Sequence, residues 1–151
     1  MGGLKRHPAL QPFSRDHLIG LFHAQKLMKL ESSVTPELLE DTIKAFAEAW
    51  EREISIHFAD EDRLLGPLPI RNTSLDRLHH EHIDLTSDIA KLFETPYSAP
   101  DAVRIGAFLD AHIRWEEHEL FPEVEASLSE DALVALEKET QKIEKSRRRK
   151  L

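Results

Sequence analysis

Residues 112–122 read HIRWEEHELFP, and their spacing decides the character of the whole chain. His112 and Glu116 stand four positions apart, so on a helix they project from one side. Ile105, Leu109 and Leu120 fall at helical spacing on that side, which therefore faces a core. Residues 57–67, HFADEDRLLGP, repeat the arrangement, with His57 and Glu61 at the same offset and leucines and a proline behind them. Two inward-pointing His-x-x-x-Glu pairs in one small chain need a common explanation, and a metal centre supplies it.

Working outward, residues 1–13 contain Gly2, Gly3, Pro8 and Pro12 and read as an extended arm. Ser14 can cap a first helix to about Leu30, with His17, Leu21, Ala24 and Met28 along one face. After a connection at residues 31–34, Thr35-Pro36 is a cap followed by proline at the first helical position. The second helix runs to about Leu65, with Ile43, Phe46, Trp50, Ile54, His57, Glu61 and Leu64 inward, and Gly66-Pro67 ends it. Thr73 and Asp76 suggest a capping box for a third helix that turns Leu75, Leu78, His82, Leu85, Ile89 and Leu92 inward and stops near Thr95-Pro96. Pro100 and Asp101 open the fourth helix, which Pro122 should kink or end. Ser129 can cap a short fifth helix from Glu130 to about Lys145, leaving a basic tail at 146–151. No strand-like alternation occurs. The expected fold is all-α: an antiparallel up-down four-helix bundle over residues 14–145, with a short additional C-terminal helix.

The chain also carries a weak internal repeat. Asp16-His17-Leu18 and Glu81-His82-Ile83 precede Lys26-Leu27 and Lys91-Leu92 by equal distances, so helices one and three match, as do helices two and four. His17, His57, Glu61, His82, His112 and Glu116 should then meet around one point. A buried ionised carboxylate costs several kcal/mol, and two facing each other cost more, so something positive has to offset them. Imidazole nitrogens with bridging carboxylate oxygens suit iron, manganese or zinc. One division that satisfies the ligand count puts His17 and His57 on one metal and His82 and His112 on the other, with both glutamates shared.

The bland alternatives are specific. A lone histidine on an apolar helix face is usually a hydrogen-bonded core or boundary residue. Of the remaining histidines, His7 lies in the arm, His23 and His118 fall off the inward faces, and His79 and His80 flank His82. His79 is a candidate extra ligand or outer donor, Glu53 and Glu117 are reserve carboxylates, and Trp50 and Trp115 read as packing residues.

Composition narrows the class. At 151 residues, 40% of them hydrophobic and 32% charged, the chain is one soluble helical domain by expectation. The absence of cysteine excludes disulfides, thiolate zinc sites and iron–sulfur clusters. No apolar run reaches the ~20 residues needed to span a bilayer and no signal peptide opens the sequence, so a cytoplasmic protein without a membrane role is expected. The net charge is −8 although the tail KSRRRKL alone adds five positive charges, which argues against nucleic-acid binding by the main body. The tail itself reads as a solvated, frayed end.

Taken together, Asp16-His17 on helix one, His57-x-x-x-Glu61, Glu81-His82 on helix three, and HIRWEEHELFP with His112 and Glu116 resemble the hemerythrin-like family, the HHE cation-binding domains. The resemblance covers about residues 14–125, in order. It implies a non-haem di-iron centre, often oxygen-bridged, that binds dioxygen, nitric oxide or peroxide, or senses redox or iron state. It also implies His17, His57, His82 and His112 as terminal ligands and Glu61 and Glu116 as bridges. The oxygen-carrying members have a second histidine one turn before the third-helix ligand, where this chain has Leu78. They also place an aspartate five residues after the fourth-helix histidine, where this chain has Glu117, with Glu116 at four. Fewer nitrogens and more carboxylate should hold oxidised iron more firmly, which argues against reversible oxygen carriage.

The leading expectation is therefore a di-iron protein that binds or senses a small ligand, with zinc or manganese as substitute metals. An alternative is a di-iron oxidase, peroxidase or nitric-oxide-handling enzyme, needing a proton donor for which His79 or Glu53 is the candidate. The paired Glu-x-x-His signature of ferritin-type oxidases is absent. A third reading is a metal-free helical interaction module with pH-sensitive core histidines. Apolar residues on the fifth helix leave room for a homodimer.

Overall fold

The computed structural model describes residues 5–31 and 34–149, with side chains as far as Arg147. Gly2-Gly3 of the expected arm, Ser32-Ser33 of the expected connection and the last two residues of the expected tail lie outside the described residues. All regular structure among the described residues is helical. Helix α1 is Gln11–Met28. Helix α2 spans residues 36–65 as Pro36–Ala49, a π-helical turn Trp50–Ile54, and Ser55–Leu65. Helix α3 is Asn72–Leu92. Helix α4 spans residues 99–127 as Ala99–Trp115, a second π-helical turn Glu116–Leu120, and Phe121–Ser127. Helix α5 is Glu130–Arg149. No helix among the described residues is long and apolar enough to cross a membrane.

The contacts order the first four helices. Phe13 meets Phe121 with ring centroids 6.3 Å apart, Gly20 faces Ile113, and Gly106 faces Ala24 and Leu27, so numbers rise along α1 as they fall along α4. The same opposition relates α1 to α2, through Asp16–His57 and His23–Phe46. It relates α2 to α3 through Asp62–His79 and Phe58–His82. It relates α3 to α4 through the Arg77 guanidinium over Trp115, Glu81–His112 and Asp88–Arg104. The apolar stripes read from the helical period are the faces that these contacts bury: Ile43, Phe46 and Ile54 on α2, Leu78, Leu85, Ile89 and Leu92 on α3, and Ile105, Leu109 and Leu120 on α4.

Two apolar clusters result. One gathers Ala24, Leu27, Ile43, Phe46, Phe58, Leu85, Ile89, Leu109 and Ile113. The other gathers Leu10, Phe13, Leu65, Leu78, Trp115, Leu120 and Phe121 with Leu133 and Leu136 of α5. On each of the first four helices the crossing from one cluster to the other passes through a polar buried residue: His17, His57 and Glu61, His82, His112 and Glu116.

The helix ends depart from the sequence reading in informative ways. Helix α1 begins at Gln11 rather than after Ser14; the His7 carbonyl accepts from the Leu10 and Gln11 N–H groups, and Pro12 occupies the first turn. The expected arm is therefore not free, since Ala9, Leu10 and Phe13 are buried. Thr35 caps α2 as expected, accepting from the Leu38 N–H at 3.1 Å, and Ser129 accepts from Ala132 at 3.1 Å. The Thr73–Asp76 capping box does not form. Instead Glu123 of α4 reaches the start of α3, accepting from the Arg71 N–H at 2.8 Å and the Ser74 hydroxyl at 2.6 Å. Helix α3 ends at Leu92, three residues before Thr95. Helix α4 starts at Ala99, with Ser98 accepting from the Asp101 N–H. Pro122 neither ends nor breaks α4, because the preceding π turn, closed by Phe121 N–H to Glu116 O, has already shifted the ladder where the proline lacks its donor. Helix α5 is 20 residues long rather than short. It buries Leu133 and Leu136 against its own chain and leaves Val134 41% exposed. The part of the basic tail at 146–149 is helical rather than frayed.

Two stability outcomes are expected. A Cβ on Gly106 would lie 2.8 Å from both the Ala24 carbonyl oxygen and Leu27 Cβ, so Gly106→Ala must spread α1 from α4. Despite alanine's better helix propensity, denaturant unfolding should show a net loss of about 1–2 kcal/mol. For Glu123, burial opposes ionisation but the Ser74 and Arg71 hydrogen bonds outweigh it and hold its carboxyl below the usual value of 4.5. A depressed carboxylate pKa contributes stability above the unfolded value and loses it as pH falls through the folded one. Glu123→Gln should therefore cost about 1 kcal/mol at neutral pH. That difference from wild type should shrink below about pH 4.5; a difference independent of pH would count against this cap.

Candidate metal centre

The six residues singled out from the sequence converge. His17 comes from α1, His57 and Glu61 from α2, His82 from α3, and His112 and Glu116 from α4; none is more than 5% exposed. The i,i+4 offset does what helical geometry dictates: His57 Nε2 lies 3.0 Å from Glu61 Oε2, and His112 Nε2 lies 3.4 Å from Glu116 Oε2. Across helices, His17 Nε2 is 2.8 Å from Glu116 Oε1 and 3.4 Å from Glu61 Oε2. His82 Nε2 is 3.2 Å from Glu61 Oε1 and 3.8 Å from Glu116 Oε2. Two sets of ligand atoms result, each lying within 4.8 Å of one another: His17, His57, Glu61 and Glu116, and Glu61, His82, His112 and Glu116. Both glutamates belong to both sets.

These short approaches are not hydrogen bonds. The four imidazole Nε2 atoms and all four oxygens of Glu61 and Glu116 are buried without a hydrogen-bond partner. Each such buried polar atom left unpaired costs about 1–3 kcal/mol, and eight of them would consume roughly the whole 5–15 kcal/mol by which a domain is stable. Lone pairs of nitrogen and carboxylate oxygen aimed at common points are a donor set that can hold a metal ion.

The opposite edge of every ring is tied down. His17 Nδ1 meets Glu117 at 2.6 Å, His57 Nδ1 meets Asp16 at 3.0 Å, His82 Nδ1 meets Asp62 at 2.8 Å, and His112 Nδ1 meets Glu81 at 2.8 Å. A carboxylate only accepts, so each Nδ1–H donates and each Nε2 is left to face inward. The pattern repeats the internal symmetry of the sequence. The acid preceding His17 holds the histidine of α2, and the acid preceding His82 holds that of α4. The acid following Glu61 holds His82, and the acid following Glu116 holds His17. These outer carboxylates are themselves engaged: Glu117 by Arg6 and Ser14, Glu81 by Arg77, Asp62 by His79, and Asp16 by Arg147.

In the sequence Glu117 reads as a reserve carboxylate and Asp16 and Glu81 as parts of motifs, and the helical period does not single out Asp62. The signal was present as acid–ligand neighbours at repeated positions, but the partner of each acid sits on another helix. His79 is an outer group on Asp62 rather than a ligand, at 3.1 Å. His7 bonds Glu130, His23 and His118 stay off the site, and His80 is exposed. Trp50 packs edge-on against Phe58, and Trp115 sits under Arg77.

Electrostatics follow from this enclosure. Burial opposes protonation of His82, but the hydrogen bond to Asp62 and the close carboxylates of Glu61 and Glu116 outweigh it and raise its pKa to about 10. His112 is raised to about 9 against burial by Glu116 and Glu81. His17 is raised well above its ordinary value, against burial, by Glu116, Glu117 and Glu61; His57 is raised by Glu61 and Asp16. Burial would push Glu61 up, yet His57, His17 and His82 hold it well below the carboxylate range. The centre is thus built to keep positive charge beside two carboxylates, and protons compete with metal for the same nitrogens.

A cavity of about 10 Å³ adjoins His17 and His57, walled by Ile19, Gly20, Ile54, Phe58, Leu109 and Ile113 with Asp16 and Glu53 at its polar side. That is room for about one water-sized molecule. On the other side Phe58 stacks on His82 at 4.1 Å and 10°, and both border a surface groove with Trp50, Asp62 and Thr86. Set against protein-family models, curated proteins and solved structures, the chain matches none of them, so its function rests on the geometry of these side chains.

Proposed function

We propose that this chain is a hemerythrin-like protein: an antiparallel up-down four-helix bundle with an additional C-terminal helix, holding a pair of iron ions and binding or sensing a small ligand such as dioxygen, nitric oxide or peroxide. The observation that carries the reading is the set of eight inward-facing nitrogen and oxygen atoms, buried and unpaired, contributed by four helices. His17 and His57 would serve one metal, His82 and His112 the other, with Glu61 and Glu116 common to both. Iron rather than zinc or manganese is the metal that the resemblance to the HHE domains implies, and the mixed nitrogen and carboxylate donors suit it. When bound, an iron pair supplies redox chemistry and an open position for a diatomic ligand.

The chain's own residues do the rest. The Nδ1–carboxylate bonds fix each ring's orientation and tautomer before any ligand arrives, so little is lost in ordering them. The cavity beside His17 and His57 is sized for a molecule of a few atoms. Its apolar walls keep bulk water away and favour an uncharged guest. Leu78 is buried where a further histidine would enrich the site in nitrogen, which supports sensing or handling of the ligand over its reversible carriage.

The test is anaerobic loading with ferrous iron followed by metal analysis. Two irons per chain are expected, one for each ligand set. His112→Ala should lose one of them, and Glu61→Gln, which removes a shared ligand, should weaken both. A chelator should lower the thermal midpoint, since metal at about 100 times its Kd adds roughly 2.7 kcal/mol to the folded state. Less than about one metal of any kind per chain, with an unchanged midpoint, would overturn the reading.

A further inference from the structure

Three of the four outer carboxylates are held by residues close to the ligand helices themselves, or by the segment entering α1. Glu81 is paired with Arg77, one turn away on α3, at 3.0 Å. Asp62 is shared with His79 of α3, and Glu117 is held by Ser14 of α1 and by Arg6. Asp16 differs. Its partner is Arg147, near the end of α5, a helix that contributes no ligand. The guanidinium and the His57 ring converge on the same atom, Asp16 Oδ2, and a second arm of Arg147 reaches Asp60 of α2 at 3.3 Å.

We infer that Arg147 is a positioning residue for the metal centre: it fixes Asp16 and through it His57, so that docking of the C-terminal end of α5 and occupation of the His17–His57 position stabilise each other. The inference rests on the metal-centre reading above. Asp16 sits at the protein's edge, its side chain 20% exposed, where a carboxylate held only by one imidazole can turn to water. Arg147 also has one side chain to orient and two carboxylates to bridge, so α5, α1 and α2 are tied at one point. The early part of α5 is anchored by Leu133, Leu136 and the buried Thr140 hydroxyl on the Ala9 carbonyl. Beyond Thr140 the apolar attachment thins to the half-buried Ile143, joined by the polar contacts Arg15–Glu144 and Arg147. A segment held by a few polar contacts opens more readily than the core. Its docking is therefore the step that a bound metal can bias, and by linkage the bias is reciprocal.

The experiment is calorimetric titration of the full chain with ferrous iron under anaerobic conditions, for wild type, Arg147→Gln, Arg147→Lys and Arg15→Gln. Arg147→Gln should weaken one binding step about tenfold, the size of effect typical of an outer-shell partner, and leave the other within about twofold. Arg147→Lys, which keeps the charge, should recover most of the loss. Arg15→Gln breaks another α1–α5 ion pair without touching a carboxylate that holds a ligand, and should leave both steps unchanged. Hydrogen exchange over residues 141–147 should slow when wild type binds iron and should not respond in Arg147→Gln. The inference is overturned if Arg147→Gln matches wild type in both steps, weakens both alike, or is matched by Arg15→Gln. Two irons in wild type with an indifferent Arg147→Gln would remove this inference alone, whereas a wild type that takes no iron removes the metal-centre reading with it.

Discussion

Glu61 and Glu116 place two carboxylates, both wholly buried and without a hydrogen bond, at the junction of two apolar clusters. Desolvation on that scale is tolerable only if positive charge stands beside them, and the surrounding structure is organised to supply it. Four imidazoles surround the pair, and the carboxylates behind those imidazoles raise their affinity for a positive charge, whether a proton or a metal ion. The layers alternate in sign outward: inner carboxylate, imidazole, outer carboxylate, then guanidinium at Arg6, Arg77 and Arg147.

The same constraint explains why the helices pack as closely as they do. Gly106 lets α4 approach the backbone of α1, the helix whose His17 lies 2.8 Å from Glu116 of α4. The two π-helical turns lie beside the site, one just before His57 and one beginning at Glu116. A π turn inserts an extra residue into the helical register, and such turns are frequent at functional sites. In α4 the turn also lets the helix run through Pro122 and carry Glu123 to the start of α3, joining the site's frame to a helix cap.

Arg6 and Arg147, near the two limits of the described residues, both reach the centre's periphery. Arg6 holds Glu117 and stands over Phe121, whose ring stacks on His17 at 5.4 Å. Arg147 holds Asp16 from the far end. Asp16, which Arg147 holds, also lines the small cavity beside His17 and His57.

What the sequence determined by itself was the helical class, the inward stripes and the six residues that meet at the centre. The helical period assigns a residue to a face, and a charged residue on an apolar face is conspicuous without any structure. Helix ends were less legible: Thr35 and Ser129 announced themselves as caps, but the start of α3 is capped by Glu123 from α4, a partner more than fifty positions from Arg71. Pro122 misled because its effect depends on a π turn that local sequence does not reveal. Which imidazole each outer carboxylate holds, the Arg6 and Arg147 pairs and the small cavity belong to tertiary structure alone. They arise where different helices happen to meet, and one helix's periodicity carries no information about which residue stands across from it.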